Sequence, residues 1–143
     1  MIVLDRVSKS FGGLRAVDEV SLEVPRGSVT VLAGADGAGK STLLRMIVGL
    51  VGLDGGHILL DGEDVGKDAG RLAAITGFMP ERFSLYLDLT VEENLNFYAD
   101  VHGVARGRRE ETKRRLLERT GMLPFRRRRA GALSGGMKQK LAL

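Results

Sequence analysis

The 143-residue sequence has room for one domain, long enough to bury roughly two thirds of the surface its unfolded chain exposes, and its 43% hydrophobic and 28% charged residues are ordinary for a globular protein. It contains no cysteine, which excludes disulfides, thiolate zinc sites and thiol nucleophiles and fits a reducing compartment. The net charge of +4 is unevenly placed: through His102 there are 9 Lys and Arg against 15 Asp and Glu, and from Gly103 onward 13 against 3, so the C-terminal third is expected to face a different partner or surface from the rest.

The segments Ile2–Val7 and Val17–Val24 alternate apolar and polar residues and predict two half-buried antiparallel strands, ended by the turn Pro25-Arg26-Gly27. Residues 28–33 (SVTVLA) form a short, mostly apolar run leading straight into glycines, which predicts a strand buried in a sheet. After Lys40, the near-helical spacing of Leu43, Leu44, Ile47 and Leu50 predicts a helix that stops at Gly49 or Gly52. His57–Leu60 with Asp61-Gly62 reads as a strand and tight turn, and residues 73–79 as a further strand ending at Pro80. Thr90-Val91-Glu92-Glu93 is a capping box, so a helix is expected from there to about Val101, closed by Gly103. A very basic helix follows over Arg108–Thr120, and Ser134 caps a third that still runs at Leu143. No run of about 18 apolar residues occurs, and the N-terminus has neither a basic leader nor a small-residue cleavage site, so the chain is expected to stay in the cytoplasm.

Gly34-Ala35-Asp36-Gly37-Ala38-Gly39-Lys40-Ser41 matches G-x-x-x-x-G-K-[ST] between a predicted strand and a predicted helix. Phosphate oxygens are approached there by consecutive backbone N–H groups, which requires residues without obstructing side chains, and the helix N-terminus adds a positive dipole. Lys40 would reach the β- and γ-phosphates of a nucleotide and Ser41 would offer its hydroxyl to Mg²⁺. A glycine-rich turn of no function is the competing reading, and the motif alone says nucleotide without saying which chemistry.

Leu133-Ser134-Gly135-Gly136-Met137-Lys138-Gln139 distinguishes among phosphate-loop families, because it closely resembles the signature segment of the ABC ATPases. Ser134 with the Gly135 and Gly136 amides at a helix N-terminus would form a second anion-binding site; the competing reading is a capped helix of no further role. The resemblance covers nearly the whole chain. It implies an α/β P-loop NTPase fold: part of the core sheet and an antiparallel β-subdomain over 1–89, with a helical subdomain carrying the signature over 90–143. It further implies ATP and Mg²⁺ as ligands, and a head-to-tail dimer in which Ser134, Gly135, Gly136 and Gln139 serve an ATP held by a second ATP-binding domain. A transmembrane permease as partner and a peripheral place on the inner face of the cell membrane follow from the same resemblance. Phe11 falls where these ATPases stack an aromatic on adenine, Thr42 joins the nucleotide set behind Ser41, and Glu81 falls at the Q-loop. The stretches GADGAGKS, MPERFSLYLDLTVEENL and LSGGMKQKLAL look like ATPase subunits of bacterial multidrug exporters.

The Q-loop position normally holds Gln; Glu81 keeps an oxygen for Mg²⁺ but loses the amide donors and adds negative charge beside the phosphates. A mildly altered, still Mg²⁺-dependent site is expected. The family continues past the signature helix into a strand bearing a Mg²⁺-binding Asp, then the Glu that activates water and a His that contacts the γ-phosphate. The 143 residues include none of these, so turnover by the chain alone is expected to be negligible, general-base help being worth about 10² to 10⁴ in rate. Apolar residues 29–33 without neighbouring strands are expected to make the isolated chain unstable or prone to aggregate. Two alternatives stay open: a soluble ABC protein acting on ribosomes or nucleic acid, or a nucleotide-binding module without turnover. His57 and His102 have no ligand-spaced partner. Arg126–Arg129, with Arg106, Arg108 and Arg109, lacks the interleaved aromatics of nucleic-acid binders, and reads as a solvated face or one attracted to anionic lipid or an acidic partner loop.

Overall fold

The computed structural model describes residues 1–66, 68–80 and 84–143, apart from the side chain of Ala73. The chain divides into two compact units, Met1–Phe78 and Met79–Leu143.

The first unit is framed by an antiparallel sheet in the order β2-β1-β3-β4, with β1 Ile2–Phe11, β2 Leu14–Val24, β3 Gly55–Leu60 and β4 Glu63–Asp64. β1 and β2 run farther toward each other than their alternation predicts, because Gly12 and Gly13, both at positive φ, close a two-residue turn between the paired Phe11 and Leu14. The hairpin is curved by a bulge in each strand. Arg6 (φ 45°) and Glu19 (φ 44°) are the odd residues, and the N–H of each donates at 3.0 Å to a serine hydroxyl of the other strand, Ser21 and Ser8 respectively. Against one face of the curved sheet, Leu4, Val7, Val17 and Ile58 pack with Leu43 and Met46 of α1 (Lys40–Ile47) and Leu72 of α2 (Ala69–Ile75). Leu43 and Met46 are three residues apart, so one helix face carries the contact.

Two expected strands are not present. Residues 28–33 pair with no strand among the described residues, and Val29 and Val31 are 93% and 82% exposed. A buried strand needs ladder partners on its flanks, and the apolar run says nothing about whether they exist. Residues 69–75, partly within the other expected strand, form α2 instead: the Asp68 carboxylate accepts from the Arg71 N–H at 2.9 Å and caps a helix-forming Ala/Leu/Arg stretch. Extended backbone resumes only at Thr76.

The second unit is helical, with α3 Val91–Val101, α4 Arg106–Thr120 and α5 Gly135–Ala142 joined by short 3₁₀ turns at Leu123–Phe125 and Ala130–Ala132. Its core gathers Val91, Leu117, Met122, Ala130, Leu133 and Leu141, with Leu95, Phe125 and Met137 packed around them. Both predicted caps form. Thr90 and Glu93 make the reciprocal box at the start of α3, and Ser134 accepts from the Met137 N–H at 3.3 Å at the start of α5. The arginine run is fixed along its backbone, since the Val91 and Glu92 N–H groups donate to the Arg128 and Arg126 carbonyls at 3.0 and 2.9 Å. Its four side chains are exposed, with the Arg128 guanidinium over the Phe125 ring.

Candidate functional site

After the unpaired segment 28–33, Ala38 N–H closes a turn onto the Ala35 carbonyl at 3.2 Å, and α1 begins two residues later, at Lys40. Gly39 starts the helix in the left-handed region (φ 86°) and offers no side-chain cap. A Cβ at Gly39 would stand 2.1 Å from the Ala16 carbonyl oxygen of β2, so only glycine fits between helix start and hairpin. The consequence is a helix N-terminus that its own N-cap residue does not cap, at the positive end of the helix dipole.

Lys40 lies at that N-terminus and folds back across the loop, its ammonium donating to the Gly34 carbonyl at 2.8 Å and the Ala35 carbonyl at 2.6 Å. It forms no ion pair among the described residues. A cation held by neutral carbonyls at a positive helix end has an incomplete charge balance that a phosphate would complete. Ser41 and Thr42, on the first turn of α1, are half-buried, whereas Asp36, Gly37 and Ala38 are exposed on the loop. Residues 34–42 therefore fit a nucleotide's phosphates, with the Ser41 hydroxyl as an oxygen donor suited to Mg²⁺.

Phe11 ends β1 with its ring half-exposed, and the Lys9 ammonium stands over it, 5.5 Å from the centroid. The Ala16–Gly39 contact ties the same hairpin to the phosphate loop. Glu81 lies outside the described residues. In the second unit α5 packs through Met137 and Leu141, with Leu133 just ahead of it in the same core, and Ser134, Gly135, Gly136 and Gln139 are exposed. The Gly135 and Gly136 positions open onto free space.

Three side chains that the sequence did not single out organise these regions. Asn94 is buried, and its side-chain amide accepts from Tyr86 N–H at 2.9 Å and donates to the Tyr86 and Thr90 carbonyls at 3.0 and 2.9 Å, so that it fastens the loop ahead of α3. Its position one residue beyond the capping box was the available signal. Asp54 joins Lys9 and Ser10, and its carboxyl is held below the ordinary range first by the Lys9 hydrogen bond and then by the Ser10 N–H. Asp61 bridges Arg26 and the N-terminal ammonium and is lowered by the same kind of contact. No sequence spacing announces either pair.

A phosphate loop opening a helix, an antiparallel sheet beside it and a serine-glycine turn on a helical unit define a phosphate-loop ATPase of the ABC type. The family model for ABC transporters matches residues 17–143, and the chain belongs to that family. It is 49% identical over its whole length to a probable multidrug ABC transporter ATP-binding protein, YbhF, of Escherichia coli K12, and covers 25% of that protein. A sulfate/thiosulfate import ATP-binding protein, CysA, of Nocardia farcinica is 38% identical over the whole chain, which covers 43% of it. A solved structure described as the ATP binding subunit of an ABC transporter superposes with a TM-score of 0.82 at 28% identity, over 99% of this chain and 59% of that one. The chain thus spans about a quarter of the length of the first curated relative and less than half of the second. Among the described residues no helix is long and apolar enough to cross a membrane.

Proposed function

We propose that this chain is the ATP-binding part of a membrane transporter, in which ATP binding and hydrolysis drive export of drugs or other small hydrophobic compounds. The observation that carries the nucleotide site is Lys40, an ammonium held by carbonyls alone at an uncapped helix start. In this reading residues 34–42 hold the phosphates, Phe11 stacks on adenine, and Ser41 with Glu81 supplies oxygens to Mg²⁺. Ser134, Gly135, Gly136 and Gln139 are presented to an ATP on a second ATP-binding domain, docked head to tail. Residues 1–89 hold nucleotide and 90–143 present the signature turn. The partner is a transmembrane permease at the inner face of the cell membrane, and nucleic acid plays no part. Export is favoured over import by the higher identity to the multidrug protein than to the sulfate importer. In this reading ATP hydrolysis is the reaction of the assembled protein, as membership of the family supports.

Mg²⁺-ATP titration of the chain and of Lys40→Ala tests this. Loss of a charge-assisted contact worth about 2–3 kcal/mol should weaken binding by roughly thirty- to a hundredfold. Equal affinity in both proteins, or none in either, sinks the assignment.

A further inference from the structure

Asp54, in the turn that leads into β3, grips two successive residues of β1 with one carboxylate. One oxygen accepts from the Lys9 ammonium at 2.6 Å and the other from the Ser10 N–H at 2.8 Å, while the Asp54 N–H donates to the Ser8 carbonyl at 3.0 Å. The next residue is Phe11. Lys9 and Phe11 are two apart on a strand and share a face; the Lys9 side chain is only 17% exposed, and its ammonium lies within cation–π reach of the half-exposed ring.

We propose that Asp54 is a positioning residue for adenine stacking: through Lys9 and the Ser10 backbone it holds the Phe11 ring in one orientation, one face against the cation and the other open to the base. The inference rests on the reading of Phe11 as the adenine-stacking residue. An exposed phenylalanine with free rotamers loses that freedom when a base stacks on it, and a ring fixed beforehand avoids the loss. The ammonium also draws the ring's electron density toward itself, which leaves the outer face less negative and a better partner for the π-face of a base. Lys9 and Asp54 acting only as a strap between β1 and β3 would show no preference for ligands that carry a base.

The experiment compares Mg²⁺-ATP with Mg²⁺-tripolyphosphate, which has the phosphates without the base, by equilibrium binding to the intact protein. The variants are Lys9→Met, Asp54→Asn, Phe11→Ala and the Asp54→Asn/Phe11→Ala double; Lys9→Met leaves the backbone clamp untouched should Asp54→Asn fold poorly. Each of the first two should weaken ATP by about three- to tenfold and leave tripolyphosphate within about twofold, and Asp54→Asn should add nothing once Phe11 is gone. Equal losses for both ligands, or additive losses in the double variant, overturn the positioning role. If Phe11→Ala alone selectively weakens ATP, stacking stands and the role of Asp54 falls by itself; if Phe11→Ala leaves ATP unchanged, the stacking reading fails and takes this proposal with it.

Discussion

In the first unit the phosphate loop is shaped by backbone: Gly39 enters α1 at φ 86° with no side-chain cap, pressed so closely on the Ala16 carbonyl that a methyl group would overlap it. In the second unit the equivalent tasks fall to side chains, with Ser134 capping α5, Thr90 and Glu93 capping α3 reciprocally, and Asn94 binding the loop before it. A helix start capped by its own serine has one fewer N–H group to offer a ligand. A helix start held by glycine geometry loses none to its own N-cap residue, and Lys40 stands beside it. In the proposed reading the first turn grips a phosphate by itself, and the second supplements a grip made elsewhere.

The same substitution in both turns gives the sharpest test. Gly39→Ala places a Cβ 2.1 Å from a backbone oxygen at a positive φ, and strain and overlap together should cost about 3 kcal/mol or more and abolish Mg²⁺-ATP binding. Gly135→Ala meets open space on the first turn of α5 and should stabilise by a few tenths up to about 1 kcal/mol. Denaturant unfolding of the two variants measures both signs, and like signs would dissolve the distinction between the turns.

Asn94→Ala should be the most damaging polar truncation in the second unit, about 1–3 kcal/mol, because it strips the part-buried Tyr86 N–H of its acceptor and removes the amide that donates to the Tyr86 and Thr90 carbonyls. Hydrogen exchange at the Tyr86 amide should quicken while the α5 amides hold. A uniform rise across the unit would mean that Asn94 supports the whole core and not the loop.

Ser134 gives a smaller effect that separates cap from ligand contact. Ser134→Ala should cost about 1 kcal/mol, whereas Ser134→Gly should cost only a few tenths. If both variants lose ATP turnover equally in the assembled protein despite that difference, the hydroxyl touches nucleotide; if turnover follows stability, it only caps.

These contrasts explain what could be read before any coordinates. Short-range chemistry was legible: the glycine turn that opens α1, the Thr90 box, the Ser134 cap and the hairpin strands depend on neighbours within four residues, and all appear where their residue types require them. Residues 28–33 misled because an apolar run reports a wish for burial and not the presence of a ladder partner. Of the strand expected over 73–79, residues 73–75 instead close α2, because the Asp68 carboxylate caps a helix that starts at Ala69 and runs through them. The Asp54–Lys9 pair, 45 residues apart, and the Ala16–Gly39 contact exist only through the curl of the sheet, which no local pattern encodes.

Acid titration should reveal the weakest difference between the units. In the first, Asp54, Asp61 and Glu63 are lowered by hydrogen bonds to Lys9, Arg26 and Arg71; in the second, Glu93 is lowered by the Thr90 backbone N–H. A carboxyl whose folded pKa lies below its unfolded one stabilises the fold fully above the unfolded value, ordinarily 3.8 for Asp and 4.5 for Glu, and the contribution drains away as pH falls through the lowered value. The first unit should accordingly lose stability more steeply below about pH 4.5. All four groups are open to solvent, so salt should flatten the slope from the three ion pairs more than that from the Glu93 cap, which rests on a short-range hydrogen bond. Amide exchange followed from pH 5 to 2 at low and high salt, with Asp61→Asn as control, reads the difference. If the variant leaves the slope of the first unit unchanged, the Asp61 pairs with Arg26 and the N-terminus contribute nothing measurable to it.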